Sequence, residues 1–64
     1  MCEATAYILN KEGQEQLLLA DVDVIEPQGD GTTRLVSIYG EQKVLKARIK
    51  SMSLVNHKVV LAQD

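Results

Sequence analysis

The chain of 64 residues predicts an all-β fold: a small barrel, or a strongly curled antiparallel sheet, of about six short strands. Three observations predict it. Apolar and polar residues alternate with period two through most segments. Turn-forming residues recur at short spacing, at Asn10-Lys11-Glu12-Gly13, Gly29-Asp30-Gly31, Gly40-Glu41 and Asn56-His57. No stretch carries a helical apolar stripe strong enough to compete with the alternation.

Cys2 to Leu9 reads as the first strand. Cys2, Ala4, Ala6 and Ile8 face one way, Glu3, Thr5, Tyr7 and Leu9 the other, and Thr5, Tyr7 and Ile8 favour extended backbone. The Asn10–Gly13 turn follows, with Gly13 free to take a positive φ. Gln14 to Leu19 returns as the second strand. Asp21 to Glu26 is the third, ended by Pro27, which has no N–H to give a ladder. Thr32 to Tyr39, rich in β-branched residues, is the fourth. Gln42 to Met52 holds good helix formers. Yet Leu45, Ala47 and Ile49 alternate with Lys46, Arg48 and Lys50, and with the tight turn before them they read as a half-buried fifth strand. Lys58 to Leu61 is the sixth. Short strands joined by tight turns suit an SH3-like or Sm-like barrel or a curled sheet. No repeat, low-complexity tract or linker divides residues 1–64, which form one domain.

An apolar fraction of 45% is that of a folded chain rather than a disordered one. A chain this short buries only about 60% of the surface it exposes when unfolded, so such domains usually need a disulfide, a metal or a partner subunit. A single cysteine cannot form an internal disulfide. A metal, a second copy or unusually good packing remain. Glu3 stands where a signal peptide would be basic, and no apolar run approaches a membrane span. A lone thiol suits a reducing compartment, so a cytoplasmic protein is expected.

The net charge of −2, with two tyrosines and no Phe or Trp, weighs against nonspecific nucleic-acid binding. Catalytic machinery is missing. The one histidine, His57, and the one cysteine lie at opposite ends of the chain. There is no phosphate loop and no CxxC or HxxxH spacing. No enzyme activity is expected.

Cys2 has two readings. It is a small hydrophobe on the same strand face as Ala4, Ala6 and Ile8, or it is a metal ligand at the chain terminus. With Met1 removed, Cys2 offers an amine and a thiolate that close one chelate ring. With Met1 retained, the terminal amine, the Cys2 amide nitrogen and the thiolate form two fused rings. Mixed nitrogen and thiolate donors suit Ni(II) or Cu. One chain supplies half of a square-planar site, and two chains about a twofold axis supply all of it. Reference pKa values of roughly 8.5 for the thiol and 8 for the amine mean that protons compete with the metal.

Three other groups carry charge or a possible ligand. Lys43, Lys46, Arg48 and Lys50 hold four of the seven basic residues in one predicted strand and could track a phosphate backbone, or they form a solvated face that protects a sheet edge. Asp21, Asp23 and Glu26, with Glu12 and Glu15 nearby in sequence, could form an acidic docking face of an interaction module or oxygen ligands for a hard cation, but without calcium-loop spacing they read as a solvated strand face. His57 is a polar turn residue that could add a metal ligand.

Met1-Cys2-Glu3-Ala4, Asp21-Val22-Asp23, Gly29-Asp30-Gly31 and Ile38-Tyr39-Gly40-Glu41 together resemble the CooT family, small accessory proteins of nickel delivery to carbon monoxide dehydrogenase. The resemblance covers nearly the whole chain. It implies a small β-barrel homodimer that binds one Ni(II) between two chains through Cys2, acts as a metallochaperone and serves a nickel enzyme such as carbon monoxide dehydrogenase, away from any membrane. Related small domains are also described as predicted RNA-binding proteins on the strength of barrel shape. The expected function is therefore nickel binding and delivery, with RNA binding along Lys43, Lys46, Arg48 and Lys50 as the alternative.

Overall fold

The computed structural model describes residues 3–63. Six strands form: β1 (Ala4–Leu9), β2 (Glu15–Pro27), β3 (Thr32–Ser37), β4 (Gln42–Lys46), β5 (Arg48–Ser53) and β6 (Lys58–Ala62). No helix occurs among the described residues, and so none is long and apolar enough to cross a membrane. The strands make one sheet in the order β4-β3-β2-β1-β6-β5. The all-β class and the curled sheet read from the sequence are those of the molecule.

The turns are built from local side chains. Asn10 Oδ1 accepts from the N–H of Glu12 at 3.0 Å and of Gln14 at 2.8 Å. Gly13, at φ 80°, donates its N–H to the Asn10 carbonyl, a backbone angle open to glycine without steric cost. Asp30 accepts from the Thr32 N–H and hydroxyl. Ser37 Oγ accepts from the N–H groups of Tyr39 and Glu41.

Three details differ from the sequence reading. First, the expected strands Gln14–Leu19 and Asp21–Glu26 are one continuous strand of 13 residues, β2. Leu19 and Val22 are both buried although three residues apart, which strict alternation forbids. Asp21, at φ 55°, absorbs the extra residue. The β1–β2 register shifts between Ala4 and Ala6, and the β2–β3 register between Val22 and Val24. Such bulges bend a strand and increase its twist. Second, the expected strand Gln42–Met52 is two, β4 and β5, divided at the buried Ala47. Third, the sheet is not wholly antiparallel. β1 and β6 run parallel, with Thr5 beside Lys58 and Ile8 beside Leu61.

The division at Ala47 dictates the curl. β4 and β5 are the two edges of the sheet. Six flat strands would hold those edges roughly 24 Å apart. Lys46 and Arg48, with one residue between them, can be at most about 7.6 Å apart. The sheet therefore rolls until its edges meet at Ala47, without pairing into a closed barrel. The buried Thr33 hydroxyl donates to the Ala47 carbonyl at 2.8 Å and secures the junction.

Inside the roll lie Ala6, Leu19, Val22, Leu35, Ala47, Val59 and Leu61, with Ala4, Ile8, Leu18, Ile25, Leu45 and Ile49 packed against them. Ala4, Ala6 and Ile8 thus occupy the core side assigned to them by alternation. Cys2, assigned to the same side, lies outside the described residues. On the opposite face the Lys58 ammonium sits 5.2 Å from the Tyr7 ring centroid and pairs with Glu15.

Candidate functional site

Because β1 and β6 are parallel, the start of β1 and the turn before β6 share one end of the sheet. The Thr5 N–H donates to the His57 carbonyl at 2.8 Å, and on the other side Ala4 pairs with Val22. The chain therefore enters the sheet between the Val22–Asp23 segment of β2 and the turn ending at His57. A cleft of about 340 Å³ opens there. Its walls are largely apolar, with Val22, Ile25, Met52 and Leu54 among them, and Glu3, Asp23 and His57 supply polar groups. Glu3, the residue after Cys2, is exposed.

The turn between β5 and β6 presents more apolar surface beside this cleft. Met52 is half-exposed, Leu54 is 80% and Val55 89% accessible. The turn is held by the His57 N–H donating to the Leu54 carbonyl and the Asn56 N–H donating to Ser53 Oγ. His57 closes it at φ 51°, a conformation uncommon for residues other than glycine and enriched in Asn, Asp and His.

His57 is a turn residue, as its neighbours Asn56 and Lys58 imply. Its closeness to the chain start was not legible, because the parallel pairing of first and last strands creates it. Cys2 itself lies outside the described residues. Among the described residues no three His, Cys, Asp or Glu side chains converge to hold a metal.

The basic group is not a stripe on one strand. Lys43, half-buried, and Lys46, exposed, belong to β4, whereas Arg48 and Lys50 are exposed on β5. The break at Ala47 separates them, and Asp30 lines the same hollow as Lys46 and Arg48, interrupting the positive field that a phosphate track requires. The acidic group is dispersed as well. Glu26 pairs with Arg34 at 3.0 Å, Glu15 pairs with Lys58, Asp21 sits in the β2 bulge and Asp23 lines the cleft. The Thr32 hydroxyl and N–H hold the Asp30 carboxyl below the ordinary aspartate value.

The CooT family model, described as CO dehydrogenase accessory protein CooT, matches residues 1–62. A crystal structure provisionally assigned to CooT from Carboxydothermus hydrogenoformans is similar at 41% sequence identity and a TM-score of 0.86, over 98% of this chain and 98% of that one. Comparison with curated proteins finds no match.

Proposed function

The chain belongs to the CooT family of carbon monoxide dehydrogenase accessory proteins, and from that premise we propose that it is a nickel-binding metallochaperone. Two copies share one Ni(II) through their Cys2 thiolates and N-terminal nitrogens and deliver it to a nickel enzyme such as carbon monoxide dehydrogenase. The nickel is cargo, and no bond of a substrate is made or broken. A cytoplasmic setting fits a ligand that must stay reduced.

One observation carries the reading: a second-position cysteine in a chain of this family, followed by an exposed Glu3 at the rim of an open cleft. The donor set suits the ion, since thiolate and nitrogen together favour a tetragonal Ni(II) site. The exposed Met52, Leu54 and Val55 support the shared arrangement. A twofold axis near the chain start would set these side chains of two copies against each other around the ion, and the contact would supply the support that a short domain lacks.

A nickel titration followed by native mass measurement and electronic absorption tests the reading. A thiolate-to-nickel charge-transfer band should saturate at one ion per two chains. Cys2→Ser should abolish the band and the bound nickel while the circular dichroism of the sheet is retained. A Cys2→Ser protein that takes up nickel with the same stoichiometry and spectrum overturns the proposal.

A further inference from the structure

Independently of the nickel reading, we propose that the free edge of β4 takes up an extended, acidic segment of a partner protein as an added strand. The sheet ends on one side at β4. Its inner neighbour β3 meets it in unbroken register, from Thr32 beside Lys46 to Val36 beside Gln42. On the other side, among the described residues, no backbone hydrogen bond joins residues 42–45 to another element. The Lys46 carbonyl already accepts from Gln63 Nε2 at 3.2 Å, so residues 42–45 are the open stretch. The opposite edge of the sheet is unlike it. The β5–β6 register shifts between Ile49 and Ser51, and such a bulge spoils an edge for pairing. β4 has neither a bulge nor a proline.

The side chains of β4 define the occupant. Val44, at the middle of the strand, is 54% exposed, with Lys43 just before it and Lys46 two residues on. The basic residues of the inner strands are committed, Arg34 to Glu26 and Lys58 to Glu15. Lys43 and Lys46 have no ion pair among the described residues. β4 itself carries no acidic residue, so a second copy laid edge to edge would bring lysines and no countercharge. An acidic strand brings it. Opposite charges facing each other on paired strands are favourable, and like charges are not. Opposite Lys43, Val44, Leu45 and Lys46 the matching strand therefore reads acidic, apolar, apolar, acidic, with its two acids on opposite faces. Backbone bonds along an added strand give affinity, and such side-chain matches give selectivity. A nucleic acid has no peptide backbone to pair with this edge and no apolar side chain for Val44.

The test uses the full chain and, as probe, a blocked peptide with Glu-Val-Val-Glu at its centre and serines on both sides. The amide resonances of residues 42–45 should shift, and their hydrogen exchange should slow, as the peptide is added. The same peptide N-methylated at both valines keeps its charge but loses two donors, one of which faces β4 in either register, and it should not bind. A peptide with lysine in place of glutamate should bind about tenfold more weakly or worse. Lys43→Glu combined with Lys46→Glu should weaken the acidic peptide about tenfold while the circular dichroism of the sheet is retained. No shift at millimolar peptide, or equal binding of the N-methylated form, overturns the proposal. Shifts centred on β5 or on the cleft overturn it as well. So do residues 42–45 that move with protein concentration alone, as a second copy would make them, or a single-stranded RNA that moves the same amides at lower concentration than the peptide. Should the double variant not fold, the two peptide controls on the parent protein decide.

Discussion

Thr33 is buried, and its hydroxyl donates to the Ala47 carbonyl where the chain crosses from one sheet edge to the other. Valine has nearly the same shape and no donor. Thr33→Val should therefore cost about 1–3 kcal/mol, the range for a buried polar group that loses its partner. Urea unfolding should show a lower midpoint with an unchanged slope. Asp30 offers a test of a different kind. Hydrogen bonds from Thr32, hydroxyl first and N–H second, depress its pKa in the folded chain. A depressed carboxyl stabilises the fold fully above the unfolded aspartate pKa, and that contribution is lost as pH falls through the folded value. Asp30→Ala should melt below the parent at neutral pH, and the difference should close on acidification past the ordinary aspartate range. A gap that stays constant into acid would mean that the hydrogen bonds to Thr32 do not distinguish the two protonation states. At this scale the reading of Cys2 rests on its position in the sequence alone, since Cys2 lies outside the described residues.

Among the elements, β2 carries the main lesson. Its two buried anchors, Leu19 and Val22, are out of phase, and a reading based on alternation must cut the strand between them. The molecule keeps it whole by placing Asp21 at φ 55°. Asp21→Gly should be neutral or stabilising by up to about 1 kcal/mol, because a left-handed angle costs an L-residue roughly 1–2 kcal/mol and glycine almost nothing. Asp21→Val should cost about 1–3 kcal/mol. Thermal melts of the two variants should bracket the parent; equal losses in both would show that the Asp21 side chain, not its backbone angle, matters. The opposite error, joining β4 to β5, has the opposite cause. Leu45, Ala47 and Ile49 alternate without interruption, yet Ala47 marks the change from one sheet edge to the other, which no local pattern encodes. The same holds for the site. The cleft and its His57 arise from a pairing between residues near the two ends of the chain.

At the scale of the whole molecule, a core cluster of seven buried residues among those described, with no internal disulfide, is small. Chains of this size seldom draw more than about 3–5 kcal/mol from one core. Leu35 is fully buried, and Leu35→Ala should cost about 2–5 kcal/mol, enough to leave much of the chain unfolded. If the metal joins two copies as proposed, nickel should recover part of that loss, since a ligand in hundredfold excess over its Kd adds about 2.7 kcal/mol. Circular dichroism melts of Leu35→Ala with and without nickel check this, and the melting temperature of the parent with nickel should rise with protein concentration. The parallel seam between the first and last strands has a further consequence, in time rather than in energy. A ribosome makes β1 long before β6 exists, so β1 has no partner on that side until β6 has followed it. The cleft at that end cannot assemble before β6 is made, because Lys58 and Val59 form part of its wall.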